Sequence, residues 1–145
     1  SEGPSAGAQF STPALLVEGS APTLSDLRIE DARWVGLRIL GGAPTVQNLD
    51  IRRAGSWPIY MDLAAAPKIS GLTSVDNAFE GILVDRGTLT ASRTWDVTAL
   101  PYVLTGGSRF DNGIVLTVAE GATLTVKPGV VVKLANEMAL NVLGP

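Results

Sequence analysis

GGAPTVQNLDI, residues 41–51, has a near-copy on either side, GSAPTLSDLRI at 19–29 and AAAPKISGLTSV at 64–75. The copies can be counted from Ala21, Ala43 and Ala66, so they recur at 22 and then 23 residues. A self-similar period in this range marks stacked coils, in which no copy can bury its own apolar face and each depends on the coil above and below. Aligning the copies yields an inward set: Leu24, Leu27 and Ile29, then Val46, Leu49 and Ile51, then Ile69, Leu72 and Val75. Between the first two apolar positions of each copy stand Ser25-Asp26, Gln47-Asn48 and Ser70-Gly71. Asp, Asn and Gly tolerate left-handed backbone geometry, so this station reads as a bend between two short strands.

Farther along each copy come an alanine column, Ala32, Ala54 and Ala78, and an aromatic column, Trp34, Trp57 and Phe79. Small residues and rings at one station suggest a corner where like side chains meet in adjacent coils. Alternation then resumes in LLVE (15–18), LRIL (37–40), IYMD (59–62) and ILVD (82–85). There Leu15, Val17, Leu37, Ile39, Ile59, Met61, Ile82 and Val84 point inward. From residue 88 to 112 the spacing loosens, and Trp95, Pro101 and Tyr102 suggest a transition or lateral excursion. Regular Val-rich spacing returns over 113–145, punctuated by Gly121 and by KPG at 127–129.

Composition sets limits. The 145 residues fit one domain, and 46% hydrophobic residues can fill a continuous core. With 16 Gly, 9 Pro and only 17% charged residues, many short strands joined by tight turns are expected. The expectation is an all-β solenoid of about six coils, one domain over 1–145, with regular coils over 1–87, a transition over 88–112 and Gly/Val-rich coils over 113–145. A formal charge of −3, with 11 Lys and Arg scattered singly, offers no basic stripe for nucleic acid. The lack of Cys and His removes thiol chemistry and the commonest general base and metal ligand, so no cofactor or metal is expected. No apolar run reaches the roughly 18 residues of a membrane span, and no membrane insertion is expected. The opening SEGPSAG reads as a processed product or an excised piece.

The run PYVLTG…VLTVAEGATLTVKPGVVVKLANEMALNVLG resembles the stretch that commonly opens right-handed parallel β-helix domains of secreted bacterial and archaeal surface proteins. The AP-T-hydrophobic-x-Asn-Leu-x-Ile copies resemble the general repeat of that fold, and together these cover nearly the whole chain. Right-handed winding and an extracellular or cell-surface location are what the resemblance implies. In that family the GATLTVKPGV segment usually comes early, whereas here it comes last, and further coils are expected beyond NVLGP. The scaffold hosts lyases, glycosidases, adhesins and structural fibres alike, so function must be argued from sites.

A coiled stack has two unpaired ends, and SEGPSAGAQF and ALNVLGP look poor at capping them. The first expectation is therefore a non-enzymatic structural module that stacks end to end into a fibre, stalk or adhesin. Its partner is a second copy or adjacent repeats of a longer chain, with Phe10, Leu15 and Val17 at one end and Leu140, Val142 and Leu143 at the other. The outward column Leu16, Arg38, Tyr60 and Leu83 is apolar enough to suggest a lateral contact. The alternative is a carbohydrate-binding or polysaccharide-cleaving domain with carbohydrate as partner. It would use Asp62 and Asp85, which fall in one outward column on consecutive coils, near the roughly 5 Å separation of retaining glycosidases. A solvated face explains the same pair without catalysis. GGSRFDNG (106–113) faintly resembles calcium-binding loops but lacks their repetition, and a turn is the simpler reading.

Overall fold

The computed structural model describes residues 13–104, 114–134 and 139–143, and among them every regular element is a β-strand. The first coils are built from β1 (Leu15–Glu18) and β2 (Thr23–Glu30), then β3 (Leu37–Leu40) and β4 (Thr45–Arg52), then β5 (Ile59–Met61), β6 (Lys68–Ser70) and β7 (Thr73–Val75). Above them run β8 (Ile82–Val84), β9 (Gly87–Leu89) and β10 (Arg93–Trp95), then β11 (Tyr102–Leu104), β12 (Ile114–Val118) and β13 (Leu124–Val126), and last β14 (Val132–Leu134) and β15 (Ala139–Val142). A six-stranded spine, β1-β3-β5-β8-β11-β14, runs the length of the stack in parallel register. The whole is a parallel β-solenoid of about five turns.

The inward residues stack on their own kind. Leu37, Ile39, Ile59, Ile82, Val84 and Leu104 from the spine meet Val46, Leu49 and Ile51 from β4 in one continuous core. Along β2 and β4 the pairs Leu24↔Val46, Leu27↔Leu49 and Ile29↔Ile51 follow the columns read from the repeat. The bend station adopts the left-handed geometry that its residues permit, with φ of 54° at Asp26, 57° at Asn48 and 66° at Gly71. Asn48 Nδ2 donates to Asp26 Oδ1 at 3.0 Å, so the bend is also a polar ladder along the stack.

In the third coil the register differs from the sequence alignment. Ile51 pairs with Ser74, and Val75 pairs with Arg52, so Ser74 rather than Val75 occupies the inward station. The alanine column changes likewise. Gly55 N donates to Ala32 O and Ala78 N to Ala54 O, both at 2.9 Å, which makes Ala78 the counterpart of Gly55. The station above Ala54 falls to Asn77, which is buried. Its Oδ1 accepts from Ala54 N at 2.8 Å, while Nδ2 donates to Ser74 Oγ at 2.7 Å, Glu80 Oε1 at 3.1 Å and Ile51 O at 3.3 Å. The polar group is tolerated inside because its partners are supplied by the same coil and the one below.

The stack changes cross-section midway. Coils one to three put their second strand in a sheet ordered β2-β4-β6, with β7 also on β4. From β8 onward the coil has three short sides, the spine, a sheet β9-β12-β15 and a pair β10-β13. Residues 88–104 therefore carry strands of the stack. Trp95 and Tyr102 lie inside, their rings stacked at 4.7 Å and 5°, and the Tyr102 hydroxyl accepts from Asp96 N and Val97 N at 3.2 and 3.1 Å. Gly87, with φ of 149°, opens the added side.

Candidate functional site

The last rung exposes what the interior hides. Leu140 and Val142 pair with Leu116 and Val118, which are buried, yet they are 41% and 70% exposed. Leu143, whose N–H donates to Val118 O at 2.9 Å, is 49% exposed. Val131 and Leu134 beside and on β14 are exposed as well. Residues that continue inward columns are open to solvent here because no described coil lies over them. β15 carries no charge along this edge, the device that usually blunts a free strand.

The opposite end is different. Val17 is only 4% exposed and Leu15 is half-buried, while Leu16, on the outer face of β1, is 47% exposed. Phe10 lies outside the described residues. Among the described residues, apolar exposure is therefore concentrated on the β14–β15 end.

The outer stripe is a true column. Leu16 pairs with Arg38, Arg38 with Tyr60 and Tyr60 with Leu83, and the column continues through Val103 to Lys133. Val103 was missed because β11 fell in the loosely spaced stretch, and with that link absent the column was not followed to Lys133 on β14. The Arg38 guanidinium lies 3.8 Å from the centre of the Tyr60 ring, a cation–π contact. The Tyr60 hydroxyl donates to Asp85, and Arg38 Nη2 stands 3.8 Å from Asp85 Oδ2. Burial, and then the Asp85 carboxylate, raise the Tyr60 phenol above its ordinary range, which keeps the hydrogen on its oxygen. Leu83 is 8% exposed and stands apart from the interior core. The middle of the stripe thus satisfies its own polar groups, and Leu16 is its most open apolar member.

Asp62 and Asp85 follow paired residues of adjacent rungs, Met61 and Val84, but their side chains have different tasks. Asp62 Oδ1 accepts from Gly41 N and Ala65 N, both at 3.0 Å, and so ties the turn after β5 to the coil below. Asp85 serves Tyr60 and Arg38. Hydrogen bonds within the chain occupy both carboxylates, whereas acid–base work on a glycosidic bond needs them turned toward a substrate. At the aromatic corner, Trp57 and Phe79 stack at 4.8 Å, while Arg33 lies 5.3 Å from the Trp34 ring.

Along and just beyond β2 and β4 the charges pair, across coils except for Arg52 and Asp50, which share β4. Arg28 and Arg52 each hold Asp50 at 2.9 Å, and Arg53 reaches Asp31 at 2.7 Å and Glu30 at 3.1 Å. The hydrogen bond from Arg52 lowers the Asp50 carboxyl, that from Arg53 lowers Asp31, and Asp31 in turn raises Arg53.

Among the described residues, fold and surfaces together define a parallel β-solenoid with an apolar rung at β14–β15 and a self-paired outer face. Comparisons with protein-family models, curated proteins and solved structures found no match to the chain.

Proposed function

We propose that the chain is a non-enzymatic structural module that extends a β-solenoid stack end to end, as part of a surface fibre, stalk or adhesin. The open β14–β15 rung carries this reading, since Leu140, Val142 and Leu143 continue buried columns and are themselves exposed. Burying such side chains yields about 1.5–3 kcal/mol each, and a strand laid on β15 would also pair its free backbone edge. The covering coil is the first coil of a second copy or a further coil of a longer chain. When the covering coil is the first coil of a second copy, the contact is head to tail and does not close. The resemblance to right-handed β-helix domains of secreted proteins supports an extracellular or cell-surface setting, and parallel crossovers are generally right-handed.

Negative-stain electron microscopy and light scattering over a range of concentrations test this. Unbranched filaments lost in Val142→Asp are expected. Monomers at every concentration would overturn self-stacking by this chain. Asp62→Asn with Asp85→Asn should leave assembly intact; a polysaccharide-binding or cleaving activity abolished by that pair would instead establish the carbohydrate reading.

A further inference from the structure

Where the cross-section changes, the stack is not sealed. The sheet of the lower coils ends on β6 and the pair β10-β13 begins above it, and among the described residues no ladder joins β6 to β10. A groove of about 300 Å³ opens at this splice, lined by Pro67 and Lys68 on one side and by Arg93, Thr94, Asp96 and Thr125 on the other. Its size lies at the lower end for small-molecule sites.

The lining has a definite chemistry. Lys68 and Arg93 outnumber Asp96 in a chain whose formal charge is −3, so the groove is locally cationic on an acidic protein. Arg93 is held in place from behind, with Nη1 donating to Ser92 O at 2.8 Å and Nη2 to Ala64 O at 2.9 Å. Its Nε is buried without an acceptor. These two bonds use two of the five guanidinium donors, and the remaining Nη hydrogens, at the exposed end of the pinned group, are the ones an anionic oxygen in the groove can meet. Lys68 has no ion-pair partner among the described residues and supplies a second, mobile cation. Thr94 and Thr125 are paired in register on β10 and β13, so two hydroxyl groups stand one above the other on the same wall.

We propose that this groove binds the carboxylate of a small acidic ligand, with Arg93 and Lys68 holding the carboxylate and the threonine hydroxyls meeting its polar remainder. The site lies in the middle of the stack, so it is independent of end-to-end assembly.

Amide NMR titration of the whole chain at low salt tests it, with glucuronate and glutamate as the acids and glucose as the neutral control. Saturable shifts at Lys68, Arg93, Thr94 and Thr125 with an acid but not with glucose are expected. Lys68→Gln should weaken binding about tenfold, the loss of one charged hydrogen bond. A response to glucuronate alone assigns the ligand to acidic saccharides, to glutamate alone to acidic amino acids, and to both to the carboxylate as such. No response to either acid, equal saturation by glucose, or unchanged affinity in Lys68→Gln would overturn the proposal.

Discussion

At Gly71 a single hydrogen decides the bend. The residue has φ of 66°, and a Cβ placed there would stand 2.5 Å from Asn48 Oδ1 and 3.1 Å from its backbone nitrogen. Gly71→Ala therefore combines left-handed strain with a clash against the polar ladder, and should cost more than about 1 kcal/mol. Thermal unfolding followed by circular dichroism would read this as a fall of at least about 2–4 °C. The Asp, Asn, Gly succession made this station legible in the sequence. A second left-handed station at Asp31, Arg53 and Asp76, with φ of 60°, 57° and 58°, was not read, because arginine carries no such preference. Its signal was the interval, since these three recur at the same 22 and 23 residues. Arg53 is held there by Asp31 and Glu30 on the coil below. The Asp31 and Asp50 carboxyls are depressed in the fold, so their contribution is complete above the unfolded carboxyl range and is lost as pH falls through the lowered folded values. Asp31 is exposed and Asp50 lies part-buried at the surface, and solvent screening keeps the effect small. The stability difference between the parent and Asp31→Asn with Asp50→Asn should be present at neutral pH and vanish in strong acid.

Among the elements, β10 and β11 show why part of the fold escaped a reading by period. Apolar spacing thins out after Gly87 because the bent eight-residue strands β2 and β4 give way to separate three-residue strands β9 and β10 in new sheets, and each three-residue strand offers too few positions for a pattern. Two large aromatics fill the changed interior instead. Tyr102→Phe keeps the ring stack with Trp95 but leaves the amides of Asp96 and Val97 without their acceptor. A loss of about 1–3 kcal/mol is expected, measurable by urea unfolding with an unchanged slope. The shift of Val75 from the inward column has a similar origin. The alignment gave the third copy an extra residue near Thr73 and Ser74, whereas β6, β7 and Asn77 all stand 23 residues from their partners on the coil below, so the extra residue lies earlier, between Met61 and Lys68. At β15 the prediction runs the other way. Val142 is 70% exposed, so Val142→Asp should alter the stability of the isolated chain by no more than about 0.5 kcal/mol while abolishing association.

For the whole molecule, the repeat made the parallel stack and its core legible, whereas the candidate sites were legible only as columns. A column says which residues share a face; it does not say that Asp62 turns to backbone amides or that Asp85 turns to Tyr60. The two cross-sections carry a prediction of their own. In a head-to-tail filament the β9-β12-β15 and β10-β13 sheets of one copy would meet the differently placed β2-β4 sheet of the next. Image averages should therefore show two profiles alternating once per subunit, and a filament of uniform profile would mean that the coils rearrange on assembly.

The splice between the third and fourth coils also has a mechanical meaning. The first two coils are joined by four register pairs in the spine and seven between β2 and β4. The third and fourth are joined, among the described residues, by only three register pairs, those of β5 and β8, with isolated bonds such as Arg93 to Ala64 O and Tyr60 to Asp85 beside them. Because inter-coil hydrogen bonds lie along the axis, tension on the stack loads each ladder directly rather than in shear. A pulled fibre of such modules would yield first at this thin seam, at a lower force than any other coil boundary, and would part the two walls of the groove as it did so.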